Sequence, residues 1–129
     1  MATAQELINS AAKFAGLLAE GQTLEGGVNA DALNRLNRML SRWKNNGVDL
    51  GVPTLSASDT VYVDNADEEA IEVNLALRLM VRFKLPVSPG VSEAGSEAYT
   101  ELQAKYGKID EMALDLALTD KRTYNVNTE

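Results

Sequence analysis

The chain has 129 residues, 45% hydrophobic and 24% charged with only 3 prolines, which fits one folded domain and excludes a fibrous or wholly disordered protein. Lys and Arg number 12 against 19 Asp and Glu, a net charge of −7 that disfavours non-specific wrapping of nucleic acid or of an anionic membrane. There is no cysteine and no histidine, which removes disulfides, thiolate zinc sites, thiol nucleophiles and the usual imidazole acid or base, and suits a reducing cytoplasm.

Thr3-Ala4-Gln5-Glu6 has the spacing of a capping box and predicts the start of a first helix. No basic run precedes an apolar stretch there, so a signal peptide is not expected, and no apolar run long enough to span a bilayer occurs anywhere. Leu7, Ala11, Phe14, Ala15 and Leu18 recur at helical steps and predict one apolar face ending at Gly21. A loop over 21–29 follows, with Asn29 as the expected cap of a second helix over 30–45. Ala32, Leu33, Leu36, Met39, Leu40 and Trp43 form its apolar stripe, and Asn45-Asn46-Gly47 its end.

The other side of the second helix carries Arg35, Arg38 and Arg42, within about 60° of one another at the helical turn of about 100° per residue. The plain interpretation is a solvated face with Asp31 paired to Arg35 one turn on; the functional one is a contact surface for something acidic. Residues 48–63 break the pattern. Pro53 lies among Leu50, Val52 and Leu55, Ser56-Ala57-Ser58-Asp59 has turn composition, and Thr60-Val61-Tyr62-Val63 is β-prone, so an extended loop or β-hairpin arm is expected that leans on the helices or on a neighbouring subunit.

Asp64 or Asn65 caps a third helix whose acidic first turns (Asp67, Glu68, Glu69, Glu72) and basic end (Arg82, Lys84) match the helix dipole. Apolar residues surround its axis except for a strip of Asn74, Arg78 and Arg82, which makes it the central helix, with Asn74 read as a satisfied core amide. Leu85-Pro86-Val87-Ser88-Pro89-Gly90 is a turn. A fourth helix then keeps Val91, Gly95, Ala98, Leu102, Tyr106, Ile109, Ala113 and Leu116 in one phase, which predicts a single helix over about 90–118, roughly 43 Å long, bent but not ended at Gly107. Glu93, Glu97 and Glu101 form an acidic stripe on it, with Lys105 expected to pair with Glu101. The expected architecture is therefore mainly α: a helical bundle of about four helices with an arm between the second and third, one domain over 1–118 and a flexible C-terminal tail over 119–129.

No phosphate loop, zincin motif, nucleophile elbow or calcium loop is present, and although Glu68 and Glu69 could face a carboxylate of the fourth helix, no spacing selects an acid and base pair. Neither catalysis nor a cofactor or metal is expected. Two stripes of opposite sign, an arm and a tail suit assembly instead.

Three blocks, in this order and spacing, carry a resemblance over most of the chain: Glu6-Leu7-Ile8-Asn9-Ser10-Ala11, Asp31-Ala32-Leu33-Asn34-Arg35-Leu36-Asn37-Arg38-Met39-Leu40 followed by Trp43, and Asn74-Leu75-Ala76-Leu77-Arg78-Leu79. The chain resembles the head-to-tail adaptor proteins of short-tailed phages, also called tail accessory or DNA-packaging stabilisation factors. The resemblance implies a virion protein at the head–tail junction, present in the host cytoplasm before assembly. Many copies, a dodecamer if the portal's symmetry is followed, would bind beneath the portal ring, close the channel on packaged DNA and offer a platform to the tail proteins. DNA would pass without sequence-specific binding, along acidic walls that repel its phosphates.

Ring closure needs unlike patches on one subunit, and the expectation is that Arg35, Arg38 and Arg42 of one copy meet Glu93, Glu97 and Glu101 of the next. The resemblance also implies portal docking through the C-terminal segment, which places Lys121, Arg122, Tyr124 and Val126 at that contact. Other functions compatible with the sequence are a head-completion protein of a long-tailed phage, a non-viral helical partner-binding protein and, third, a hydrolase with a carboxylate of raised pKa.

Overall fold

The structure is a computed structural model that describes residues 2–19 and 21–106. Four helices form: α1 (Ala4–Ala15), α2 (Gly26–Asn45), α3 (Asn65–Arg82) and α4 (Pro89–Tyr106). The fold is mainly helical, and no strand occurs among the described residues. α3 lies at the centre and touches the other three helices, while α1 also packs on α2. Leu7 and Ile8 of α1, Leu36 and Met39 of α2 and Ile71, Leu75 and Leu79 of α3 fill the interior, and Leu102 of α4 closes one side. The expected apolar phase of the fourth helix holds through Tyr106; Ile109, Ala113 and Leu116, the rest of the long helix and the 119–129 tail lie outside the described residues.

α1 starts where the capping pattern places it. Thr3 Oγ1 accepts from the amide of Glu6, and the free amides of Ala4 and Gln5 donate to the carbonyls of Asp59 and Ala57, so the helix start is satisfied largely by the 48–63 segment. The end differs from expectation. Gly16, at φ 81°, takes the left-handed position and its amide returns to the carbonyls of Ala12 and Lys13, so α1 stops before Gly21. The buried face accordingly includes Ile8 and Ala12, while Phe14, expected in the core, is 49% exposed.

α2 begins earlier than its sequence predicts, at Gly26, because Asn29 does not cap it. The Asn29 side chain instead exchanges two hydrogen bonds with the Gln5 amide (2.8 and 2.9 Å) and ties α2 to α1, while its backbone amide joins the helix by donating to Glu25. Segment 48–63 is irregular, with a single antiparallel bridge between Thr3 and Thr60 and no hairpin. It is fixed to the bundle by buried Val48, Leu55, Val61 and Val63, and by Asn37 of α2, whose amide group both donates to the Leu55 carbonyl and accepts from the Leu55 amide. Tyr62 remains 74% exposed.

α3 and α4 run antiparallel and pack tightly at Gly95. Asn74 Nδ2 donates to the carbonyls of Ala70 and Gly95, the satisfied core amide expected of it, although it ties helix to helix. A Cβ on Gly95 would lie 2.4 Å from Leu77 Cδ1, so only glycine permits this separation without displacing Leu77. At the far end of the same interface Asp67, 2% exposed, accepts from Lys105 Nζ at 3.2 Å and from the Tyr106 hydroxyl. Lys105 also reaches Asp64 at 2.7 Å, and so it is held by α3 and not by Glu101. A buried carboxylate needs a partner far more than an exposed glutamate does, which decides the competition.

Candidate functional site

α2 and α3 are also antiparallel, which brings Asp31 near the start of α2 to Arg82 in the last turn of α3. Their ion pair, at 3.2 Å, replaces the expected pair of Asp31 with Arg35. Packed this way, Arg35, Arg38 and Arg42 of α2 face Arg78 and Arg82 of α3 across a groove of about 530 Å³ whose floor is Met39, Leu77 and Val81. Val81 is 72% exposed, an apolar side chain left in solvent between guanidinium groups. Arg35 is half-buried, and its Nε is shielded from solvent with no hydrogen-bond partner among the described residues. Apart from Arg82, none of these arginines has an ion pair among the described residues.

Burial, and secondly the nearby positive charge of Arg42, lowers the proton affinity of the Arg78 guanidinium below its ordinary level. The groove thus concentrates like charges of which only Arg82 is paired among the described residues. The α2 wall is legible in the sequence as an arginine stripe and the α3 wall as a separate polar strip, but nothing local to either helix says which of their faces meet.

Glu93, Glu97 and Glu101 are all exposed on the side of α4 turned away from Gly95 and Leu102, and no ion pair engages them among the described residues. Within the subunit they are not brought to the arginines. Lys121, Arg122, Tyr124 and Val126 lie outside the described residues. Of the acidic residues in α3, Glu68 accepts from the amide of Ala2 at 3.0 Å. Glu72 has its carboxyl pKa raised by partial burial and by Glu68 and Glu69, against a lowering by the Ser10 hydroxyl. Among the described residues no hydrogen bond joins them to Glu93, Glu97 or Glu101 of α4. Among the described residues no group of three or more Asp or Glu side chains is placed to hold a metal ion, and no helix is long and apolar enough to cross a membrane. No protein-family model matches this sequence, and a search of curated proteins finds no significant relative.

Proposed function

We propose that this chain is a structural connector subunit that assembles side by side with its own copies, as the head-to-tail adaptor of a short-tailed phage does beneath the portal ring. The observation that carries the proposal is the pair of opposite-sign faces on one subunit: the arginine groove between α2 and α3, where only Arg82 is paired, and the outward glutamates of α4, which have no ion pair among the described residues. Such faces are heterologous, so each copy offers the next what it received, and the chain of contacts closes when the rotation per subunit divides a circle.

The dimensions agree. At the helical rise of about 1.5 Å per residue, Arg35 to Arg42 spans about 10 Å and Glu93 to Glu101 about 12 Å, so three carboxylates can lie along three guanidiniums in one register. Desolvating them together over Leu77 and Val81 gives a stronger attraction than exposed pairs supply. In this proposal the C-terminal residues Lys121, Arg122, Tyr124 and Val126 contact the portal, the tail proteins attach below, and the net negative charge keeps DNA moving through the channel.

The test is direct. Purified chain is mixed with portal rings and imaged by electron microscopy, and a second ring stacked on the first is expected. Reversal of Arg35, Arg38 and Arg42 to Glu should leave the circular dichroism of the subunit unchanged and abolish the second ring. A solitary subunit at every concentration, with and without portal, overturns the proposal.

A further inference from the structure

Beside the arginine groove lies a second cleft, of about 450 Å³, where the C-terminal turn of α2 and the middle of α3 meet the first turns of α4. Its polar lining residues include Arg42, Arg78, Ser92, Ser96, Tyr99 and Asn46, and among the described residues no carboxylate lines it. Neither arginine has an ion pair among the described residues. The back wall is aromatic, Trp43 against Tyr99 with ring centroids 5.4 Å apart. Ser92 and Ser96 are one turn apart on α4 and therefore present their hydroxyls on the same side.

We infer that this cleft binds a phosphate dianion, either free or as the monoester of a mononucleotide. Two arginines, three hydroxyl-bearing side chains and Asn46 line one space with no competing carboxylate among the described residues, and a doubly charged tetrahedral oxyanion matches both the charge and the donors. Two cations held close without an anion repel each other, and Arg78 already loses proton affinity through burial and through Arg42. A bound dianion removes that cost. The cleft is distinct from the proposed ring contact in its α4 hydroxyls, which the ring contact does not use.

Trp43 is the single tryptophan of the chain and lies in the cleft wall, so its fluorescence reports occupancy without a label. The full-length chain is titrated at about pH 8, where phosphate monoesters are mainly dianionic, with inorganic phosphate and separately with a nucleoside 5′-monophosphate, at ionic strength held constant with sodium chloride. A saturable change in Trp43 emission and a rise in Tm are expected with one or both, and the comparison shows whether the phosphate arrives free or on a nucleoside.

Arg78→Gln should weaken binding roughly tenfold to hundredfold, as loss of a hydrogen bond between charged groups does. The Ser92→Ala, Ser96→Ala double variant should weaken it about threefold to tenfold while assembly on portal rings is retained. Should Arg78→Gln fail to fold, as judged by circular dichroism without phosphate, the serine pair decides. Equal effects from sodium chloride alone, unchanged affinity in the folded variants, or a response to duplex DNA with its singly charged diesters and none to the monoesters would each overturn the assignment.

Discussion

Lys84 adopts a left-handed conformation, φ 56°, at the end of α3, where the Leu85 amide returns to the Met80 carbonyl. That position favours glycine, since any Cβ crowds the following carbonyl there. Lys84→Gly is expected to stabilise the fold by about 0.5–1 kcal/mol in denaturant unfolding, the relieved strain exceeding the added entropy of the unfolded chain. Asn74 donates to the Ala70 carbonyl of its own helix and to the Gly95 carbonyl of α4; Asn74→Ala should cost about 1–2 kcal/mol by the same measurement.

Glu72 permits a pH test. Burial is the largest cause of its raised pKa, followed by repulsion from Glu68. The folded state therefore binds this proton more readily than the unfolded one, and stability from this group is fully present below the ordinary value of 4.5 and is lost as pH rises through the raised one. Glu72→Gln, which keeps an acceptor for Ser10, should raise Tm at neutral pH and leave it nearly unchanged in acid. Residue-level roles of this kind were partly legible: Asn74 reads as a satisfied amide because it is polar among apolar neighbours. The partner of Lys105 was not, because Glu101 one turn away is visible in the sequence and buried Asp67 on another helix is not.

Elements differ in how far local pattern decides them. α3 is marked at both ends in sequence, by acidic first turns and a basic last turn, while the turn through Ser88-Pro89 leads into α4, whose first turn is met by the Ser88 hydroxyl accepting from the Val91 amide. α1 and α2 have movable ends, since two glycines, Gly16 and Gly21, could each stop the first and Asn29 could cap the second. Tertiary partners choose: Asn29 is drawn into its pair with Gln5, and α2 extends to Gly26. Segment 48–63 depends on such partners throughout. Removing the paired hydrogen bonds from Asn37 to Leu55 by Asn37→Ala should cost about 1–3 kcal/mol and accelerate amide hydrogen exchange at Leu55 before the helices are affected.

At the scale of the whole molecule, an acidic chain concentrates positive charge in two adjoining clefts that share Arg42 and Arg78. If copies join through the groove, the contact is electrostatic in its selectivity, and ring formation on portal should decline as sodium chloride is raised from about 0.1 M to about 1 M, over which the Debye length falls from about 10 Å to about 3 Å. Sedimentation of the mixture across that range measures the effect. A contact insensitive to salt would point to the apolar floor of Met39, Leu77 and Val81 as its main support.

Helical periodicity by itself determined that the chain is mainly α, that α3 is apolar nearly all round and therefore central, and that Arg35, Arg38 and Arg42 share one side of α2 as Glu93, Glu97 and Glu101 share one side of α4. These are consequences of a repeat of about 3.6 residues, which any stretch of a few turns displays. Only tertiary packing decided that Arg78 and Arg82 would face the α2 arginines, that Asp31 would hold Arg82, that Lys105 would leave Glu101 for Asp67 and that Gly95 would sit against Leu77. Each of those contacts joins separate helices, and their partners are set by how apolar faces bury against one another, a condition that no local spacing encodes.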